Sequence, residues 1–283
     1  MNAIPEIYPL ARDQAETRRL TAQHEFLVHT VGGLIDSAIP LDRISAVADV
    51  GTGTGIWLID ARNFLEAQCA SPERYFYGFD ISSAQFPPHA PAGVEFSVQN
   101  ILSPFPAEHH NRYDLVYVRM LVTAIKKEQY QDAVANLLTI LKPGGYLQWL
   151  ELDNSALLNS EESRNPKSAV VISSWLEFFE LNELSQYAPR AIEHAYRHSG
   201  MVSVVNTSFP LTRQEEDLEA KTRTWMMAAF GAVTAQIMHK IGRAGNHQEA
   251  RETADDAIKN LGLYLAEGGV VGLQFGSVIG QKL

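Results

Sequence analysis

Short apolar runs alternate with helical patterns along the first half of the chain. The runs predict buried strands at 45–50, 75–79, 94–98, 115–118 and 146–152. Helices are predicted at 15–35, before the first strand, and at 56–67 and 129–141, between strands. Strands that alternate with helices in this way are typical of βαβ units, so the pattern predicts an α/β fold with a parallel sheet.

The alternation of predicted strands and helices ends after residue 153, where helical patterns dominate. Helices are predicted at 170–184, 189–198, 215–240 and 250–267, and strands at 201–208 and 270–279. No repeat or low-complexity linker interrupts the chain. We therefore interpret 1–283 as a single domain with a helical elaboration between strands five and six.

Composition narrows the class of protein. The chain is 46% apolar and 20% charged, which is ordinary for a folded globular protein. A net charge of -10 and a pI near 5.4 argue against a nucleic-acid partner. Its one cysteine, Cys69, excludes a disulfide framework and a cysteine zinc site, and favours a reducing, cytoplasmic compartment. No secretory signal or apolar run of about 18 residues is present, so we expect no membrane association.

A glycine-rich loop follows the first predicted strand, in the order Asp49, Val50, Gly51, Thr52, Gly53, Thr54 and Gly55. Such a loop lets a ligand approach the backbone and points amide groups at an anion. A P-loop is excluded, because no Lys follows the last glycine. A dinucleotide fingerprint is excluded too, because Ile56 and Leu58 stand where its final glycine belongs.

This loop resembles motif I of class I S-adenosylmethionine methyltransferases, where it wraps the methionine part of the cofactor. Asp80 ends the second strand, where a carboxylate can accept hydrogen bonds from both ribose hydroxyls. The resemblance places Asn100, just after the third strand, against the adenine. The turn at 141–145 leads into strand five, as is common in these enzymes.

A closer resemblance, over about 8–152, is to the fungal LaeA-like (UmtA-type) methyltransferases. It rests on Tyr8-Pro9-Leu10, Glu16, Arg19-Leu20, Gln23-His24, the loop through Trp57, and Val118-Arg119-Met120-Leu121. It departs at Asn100, where many members have Asp. The resemblance implies a Rossmann-like fold: a mostly parallel seven-stranded sheet, an antiparallel last strand and a helical cap. We expect a helical lid at 1–40, a cofactor-binding core at 41–152, a substrate cap at 153–240 that includes strand six, and a last helix and strand at 241–283.

The resemblance implies a set of cofactor contacts. They are Asp49, Gly51, Thr52, Gly53, Trp57, Asp80, Ile81, Asn100, Ile101 and Arg119, with Tyr8 and Gln23 from the lid. Arg19 is a further lid candidate. Arg119 is expected to hold the cofactor carboxylate, and the alternative is a helix-capping or surface arginine. Residues 1 to about 14 are expected to become ordered when the cofactor binds.

Methyl transfer is an in-line displacement, so positioning supplies much of the rate. An amine or alcohol acceptor can need a base, and the candidates are His24, Glu151 and Asp153. The alternative is a histidine on a surface helix and two helix-capping, solvent-facing carboxylates. Acceptor contacts are expected from Met120, Trp175, Trp225, Met226 and Phe230, with core packing as the alternative.

No metal is predicted. A metal-dependent methyltransferase has an acidic residue just after strand four, where this chain has Arg119. His194 and His198 have a two-ligand spacing but no evident third ligand.

We expect transfer of a methyl group to an O, N or S atom of a small, fairly apolar metabolite of fungal secondary metabolism. Two alternatives stay open at this point. One is a regulatory protein that binds the same cofactor and acts through protein partners. The other is an enzyme that uses the cofactor's charge without methyl transfer. The sequence leaves the oligomeric state open.

Overall fold

The computed structural model describes residues 14–68, 74–158, 160, 164–211, 216–240 and 245–283. Residues 1–13, which carry Tyr8 and most of the segment expected to order on cofactor binding, lie outside these ranges. Cys69 lies outside them as well.

The described chain builds one seven-stranded sheet in the order β3-β2-β1-β4-β5-β7-β6. The strands are β1 Ala46–Val50, β2 Tyr75–Asp80, β3 Val94–Val98, β4 Tyr113–Arg119, β5 Leu141–Asp153, β6 Val202–Pro210 and β7 Gln274–Gln281. Strands β1 to β5 pair in parallel, and β7 runs antiparallel to both β5 and β6. The predicted fold class is confirmed.

The helices are α1 Gln14–Val31, α2 Ile56–Gln68, α3 Tyr130–Ile140, α4 Ser155–Leu158, α5 Ala169–Leu181, α6 Ala188–His198, α7 Glu216–Lys240 and α8 His247–Ala266. The elaboration predicted between strands five and six is divided, because α7 and α8 follow β6. Helix α7 packs against α1, α5 and α8. None of the helices in the described ranges combines the length and apolar character needed to cross a bilayer.

The sheet order positions the site. Strand β1 is fully buried and lies between β2 and β4, so the connections from β1 and β4 leave in opposite directions. In open α/β sheets, ligands bind in the crevice outside the carboxyl ends of the strands at such a point. The glycine loop between β1 and α2 lies there.

Candidate functional site

A cleft of about 930 Å³ opens at the carboxyl ends of β1, β2 and β4. The loop after β1, the ends of β2 and β3 and the turn after β4 form one side of it. Residues of α1, α5 and α7 form the other side. The cleft therefore joins the predicted cofactor edge to the predicted cap.

The glycine loop is held in one conformation by the neighbouring strands. Gly51 and Gly53 have positive φ angles of 76° and 54°, which favour glycine. The backbone amides of Gly51 and Thr52 donate to the carbonyl of Phe79 at 2.7 and 2.9 Å. A Cβ on Gly51 would lie 2.9 Å from Cδ2 of Leu121, so the loop and the turn after β4 are in close contact. Gly51, Thr52 and Gly53, three of the predicted cofactor contacts, all line the cleft.

Asp49 lies beneath this loop and does not line the cleft, which corrects the predicted cofactor contact. Its side chain is 1% exposed, and Oδ2 accepts a hydrogen bond from Oγ1 of Thr52 at 2.7 Å. Oδ1 has no hydrogen-bond partner among the described residues. Burial raises the pKa of Asp49 to about 6, although the nearby Arg119 opposes the shift. Asp49 therefore supports the glycine loop through its hydrogen bond with Thr52.

The ends of β2 and β3 bring four predicted residues to the cleft. Asp80 accepts the amide of Gly53 at Oδ2 (2.9 Å) and that of Ser82 at Oδ1 (3.1 Å). The next side chain, Ile81, is 54% exposed, so it presents an apolar surface beside the carboxylate. Asn100 and Ile101 also line the cleft, and Asn100 accepts the amide of Leu102 at 2.9 Å.

Gln99 lines the cleft beside Asn100 and was not predicted. Its side-chain amide donates to the carbonyls of Asn100, Ser103 and Pro104 at 3.0 to 3.2 Å, so it braces the turn after β3. No motif in the sequence marks it.

Arg119 ends β4 and lines the cleft, with 9% of its surface exposed. Its Nη1 donates to Nδ1 of His24 at 2.9 Å, and Nε2 of His24 lies 2.8 Å from Oδ2 of Asp60. Burial lowers the pKa of His24, and the charge of Arg119 lowers it further. His24 does not line the cleft and both ring nitrogens are engaged, which corrects its candidacy as a base.

Glu151 is buried below the turn after β4 rather than in the cleft, so its candidacy as a base is also corrected. Oε2 accepts the amide of Leu121 at 2.7 Å and the indole N–H of Trp149 at 3.3 Å. Oε1 accepts the amide of Leu152 at 3.0 Å. Complete burial raises the pKa of Glu151 to about 7. The carboxyl group holds the turn that presents Met120 to the cleft.

Asp153, the third candidate base, caps a helix. Its Oδ1 accepts the amide of Ser155, the first residue of α4, at 2.8 Å, and its Oδ2 lies 3.4 Å from the side-chain amide of Gln274. It does not line the cleft. The capping part of the alternative is therefore correct, but the side chain is buried rather than solvent-facing.

Helix α1 presents a polar face to the cleft. Glu16, Arg19, Leu20 and Gln23 line it with the spacing of one helical face. Nε and Nη2 of Arg19 donate to Oε2 and Oε1 of Glu16, both at 2.7 Å, so the two form a buried bidentate pair. Glu16 was not predicted as a site residue, although its polar spacing with Arg19 and Gln23 is visible in the sequence.

The predicted acceptor residues divide into two groups. Met120, Trp175 and Trp225 line the cleft. Met226 and Phe230 do not line it, which corrects their predicted contact. Burial does not separate the two groups, because Trp175 and Trp225 are themselves only 3% and 2% exposed. Phe230 packs against Trp175, with ring centroids 4.8 Å apart.

Trp57 is also a core residue rather than a cofactor contact. Its ring stacks on Tyr117 at 3.6 Å between centroids, and its indole N–H donates to the carbonyl of Leu34 at 3.2 Å. It is fully buried and lies away from the cleft lining, so this prediction is wrong.

The groups at the cleft fit S-adenosylmethionine. Gly53 has a positive φ, and a Cβ at this position would lie 3.5 Å from its nearest neighbour, Cδ1 of Leu20. The backbone of the loop is therefore accessible to a ligand. Arg119 supplies a cation for a carboxylate, and Asp80 supplies an acceptor for a ribose diol. No group of three or more His, Cys, Asp or Glu side chains suited to a metal ion occurs in the part of the chain that the structure describes.

Comparisons with known proteins show the family of the chain. Residues 24–206 match the model of a methyltransferase domain. Methyltransferase grgD of a Penicillium species is 32% identical over 89% of both chains. N-methyltransferase gliN of Aspergillus fumigatus is 28% identical over 63% of this chain and 69% of its own. Secondary metabolism regulator LAE1 of Hypocrea atroviridis is 28% identical over 71% of this chain and 52% of its own.

The fold also occurs among solved structures. Haemonchus contortus phosphoethanolamine N-methyltransferase 2, in complex with phosphomonomethylethanolamine and S-adenosylhomocysteine, superposes with a TM-score of 0.55 at 15% identity. The match covers 98% of this chain and 60% of that one. The sheet, the cleft and the matched domain together lead to one conclusion: the chain belongs to the methyltransferase-domain family and is an S-adenosylmethionine-dependent enzyme.

Proposed function

We propose that this enzyme methylates a small, fairly apolar metabolite of fungal secondary metabolism. The observation that carries the proposal is the continuity of the cleft. Asp80 and Asn100 line one end, while Trp175, Trp225 and Val233 line another part of the same 930 Å³ space. Small-molecule sites commonly combine an apolar wall with a few placed polar groups in a cleft of this size.

At the cofactor end, a few residues each bind one part of the cofactor in this proposal. When bound, S-adenosylmethionine supplies a methyl group on a positively charged sulfur, which is already an electrophile. We assign the carboxylate of the cofactor to Arg119 and the ribose hydroxyls to Asp80. Ile81 and Asn100 suit the adenine, because an exposed aliphatic side chain lies next to a polar one. The glycine loop keeps side chains out of the space that the methionine part requires.

The acceptor end of the cleft orients the small molecule and does not supply a base to activate it. Trp175 and Trp225 are 3% and 2% exposed, so each presents an edge to the cleft, and in this proposal those edges hold a small molecule against the turn bearing Met120. Of the three predicted bases, none lines the cleft, so the acceptor in this proposal carries its own nucleophilic lone pair. Residues of α1 line one side of the cleft, where they would reduce the contact of a bound acceptor with water.

Nitrogen is the acceptor atom that we place first, with oxygen and sulfur as alternatives. The relative gliN is named an N-methyltransferase. A neutral amine attacks through its own lone pair and loses its proton after transfer, so it needs no base before the bond forms. We place the reaction in the cytoplasm, because the single cysteine is compatible with a reducing compartment.

A screen with radiolabelled S-adenosylmethionine tests the proposal. Small amines, phenols and thiols of matched apolar size are the acceptors, and Trp225→Ala is assayed beside the wild type. Transfer of label to a small molecule, reduced in Trp225→Ala, supports the proposal. Binding of S-adenosylhomocysteine without transfer to any small molecule would contradict it. Labelling of an added protein fraction in that case would favour the regulatory alternative. The relative LAE1, which is named a secondary metabolism regulator, is the reason to include this arm.

A further inference from the structure

Three side chains from three elements form a continuous hydrogen-bonded chain behind the cofactor cleft. Arg119 ends β4, His24 lies on α1, and Asp60 lies on α2. Nη1 of Arg119 is 2.9 Å from Nδ1 of His24, and Nε2 of His24 is 2.8 Å from Oδ2 of Asp60. Only Arg119 of the three lines the cleft.

The chemistry of the groups fixes the direction of each hydrogen bond. A guanidinium only donates, so Nδ1 of His24 must be the acceptor and carry no proton. The single ring proton then lies on Nε2 and is donated to the carboxylate of Asp60. A second ring proton on Nδ1 would face a guanidinium N–H, and two cations would be in contact.

The surroundings favour this neutral form of the ring. The His24 side chain is 4% exposed, and burial, followed by the charge of Arg119, lowers its pKa. Asp60 on α2 and Glu25 on α1 act in the opposite direction. Glu25 is itself paired with Lys221 of α7. Arg119 also acts on the buried carboxyl group of Asp49 in β1, where burial raises the pKa and the charge of Arg119 lowers it.

We infer that His24 is a positioning residue, which holds the guanidinium of Arg119 toward the cofactor by accepting its hydrogen bond. The inference rests on the proposed function, in which Arg119 pairs with the cofactor carboxylate. Arg119 has a long, rotatable stem, so a fixed acceptor on one side selects one arrangement of its fork. The same bond ties α1, whose polar face lines the cleft, to the end of β4.

Two substitutions separate the roles of the two ring nitrogens. In His24→Asn, the amide oxygen stands near the place of Nδ1 and can accept from Arg119, but the side chain does not reach Asp60. In His24→Gln, the longer side chain reaches toward the place of Nε2 and leaves Arg119 without that acceptor. His29→Gln, at an exposed position of α1, is the matched control.

Isothermal calorimetry with S-adenosylhomocysteine gives the result expected for a positioning role. At pH 7.5, His24→Asn and His29→Gln should bind within about threefold of the wild type, and His24→Gln at least tenfold more weakly. In an Arg119→Met background, His24→Gln should add no further loss, because it acts through the guanidinium. Wild-type affinity should fall on acidification below pH 6.5, the ordinary pKa of histidine, and this fall should be absent in His24→Asn.

Each other outcome contradicts a defined part of the argument. Equal binding by all His24 variants, or equal weakening of His24→Asn and His24→Gln with unchanged melting temperatures, would overturn the inference. Additive losses in the Arg119→Met background would do the same. An acidic fall that persists in His24→Asn would belong to Asp49, whose pKa is about 6, and would refute the need for neutral His24. A wild type that binds no S-adenosylhomocysteine would instead refute the proposed function.

Discussion

Removal of the Asp80 carboxylate tests both the loop and the cofactor site. Without ligand, this group accepts the amides of Gly53 and Ser82 at 2.9 and 3.1 Å. Hydrogen bonds to charged groups contribute about 1.5–3 kcal/mol each, and solvent can partly replace them at this half-buried position. For Asp80→Ala we therefore expect a loss of about 1–3 kcal/mol in the free energy of unfolding, or about 2–8 °C in melting temperature.

The loss of cofactor affinity should be larger. Two hydrogen bonds from ribose hydroxyls, at the lower end of the same range, amount to about 3 kcal/mol or about a hundredfold in the dissociation constant. Asp80→Asn keeps one acceptor oxygen, so it should lose only about tenfold. Calorimetry with S-adenosylhomocysteine measures both, beside Asp42→Ala, an exposed aspartate in the turn before β1. Wild-type affinity in Asp80→Ala, with the expected thermal destabilisation, would show that the carboxylate supports the loop and not the ribose.

The remaining predictions concern the buried carboxyl, the loop and the acceptor wall. The folded pKa of Glu151 is about 7 against an ordinary 4.5, so its contribution is fully present below pH 4.5 and is lost as pH rises through 7. In urea unfolding, the wild type should therefore lose up to about 3 kcal/mol relative to Glu151→Gln between pH 5 and 8, and parallel curves would contradict this. Gly51→Ala should melt lower and bind S-adenosylhomocysteine more weakly than Gly93→Ala, because both have a positive φ but only Gly51 also meets Leu121. Trp225→Ala should raise the KM of the acceptor about tenfold or more with little change in S-adenosylhomocysteine binding, and an equal loss of both would place Trp225 at the cofactor end.

The sequence predicts most of the fold because the strands are short, continuous apolar runs with clear ends. Strand β3 has the predicted bounds, and β1 and β2 each differ by one residue. Strand β5 begins at Leu141, five residues early, because Leu141 pairs with Tyr113 across an irregularity in β4. A Lys-Pro-Gly-Gly turn signal in the sequence does not reveal that the chain before and after it stays paired.

Some of the predicted site residues line the cleft and others do not. The position of a residue in the sequence shows whether it lies at the carboxyl edge of the sheet, but not where its side chain points. Asp80 and Arg119 end β2 and β4, Asn100 follows β3, and all three line the cleft. Glu151 lies two residues before the end of β5, yet its carboxyl accepts the amide of Leu121, a partner 30 residues away. No local pattern encodes such a contact.

Helical phase explains the errors among the aromatic residues. Trp225, Ala229 and Val233 recur at intervals of four and line the cleft, whereas Met226 and Phe230 share the adjacent phase and do not line it. An apolar run by itself does not say which of the two phases faces ligand. For Trp57, the sequence does contain a signal: Ala61 and Leu65 follow at the same interval, and all three are buried on one face of α2.

The position of β7 has a consequence for how the protein is made. This strand comes late in the chain, yet it lies between β5 and β6, and β7 is the strand with which β6 pairs in the described sheet. On the ribosome, β5 and β6 therefore keep unpaired edges until Gln281 has emerged. Open edges of this kind invite pairing with other chains. A premature stop before Gln274 should consequently produce aggregated protein rather than a shorter enzyme.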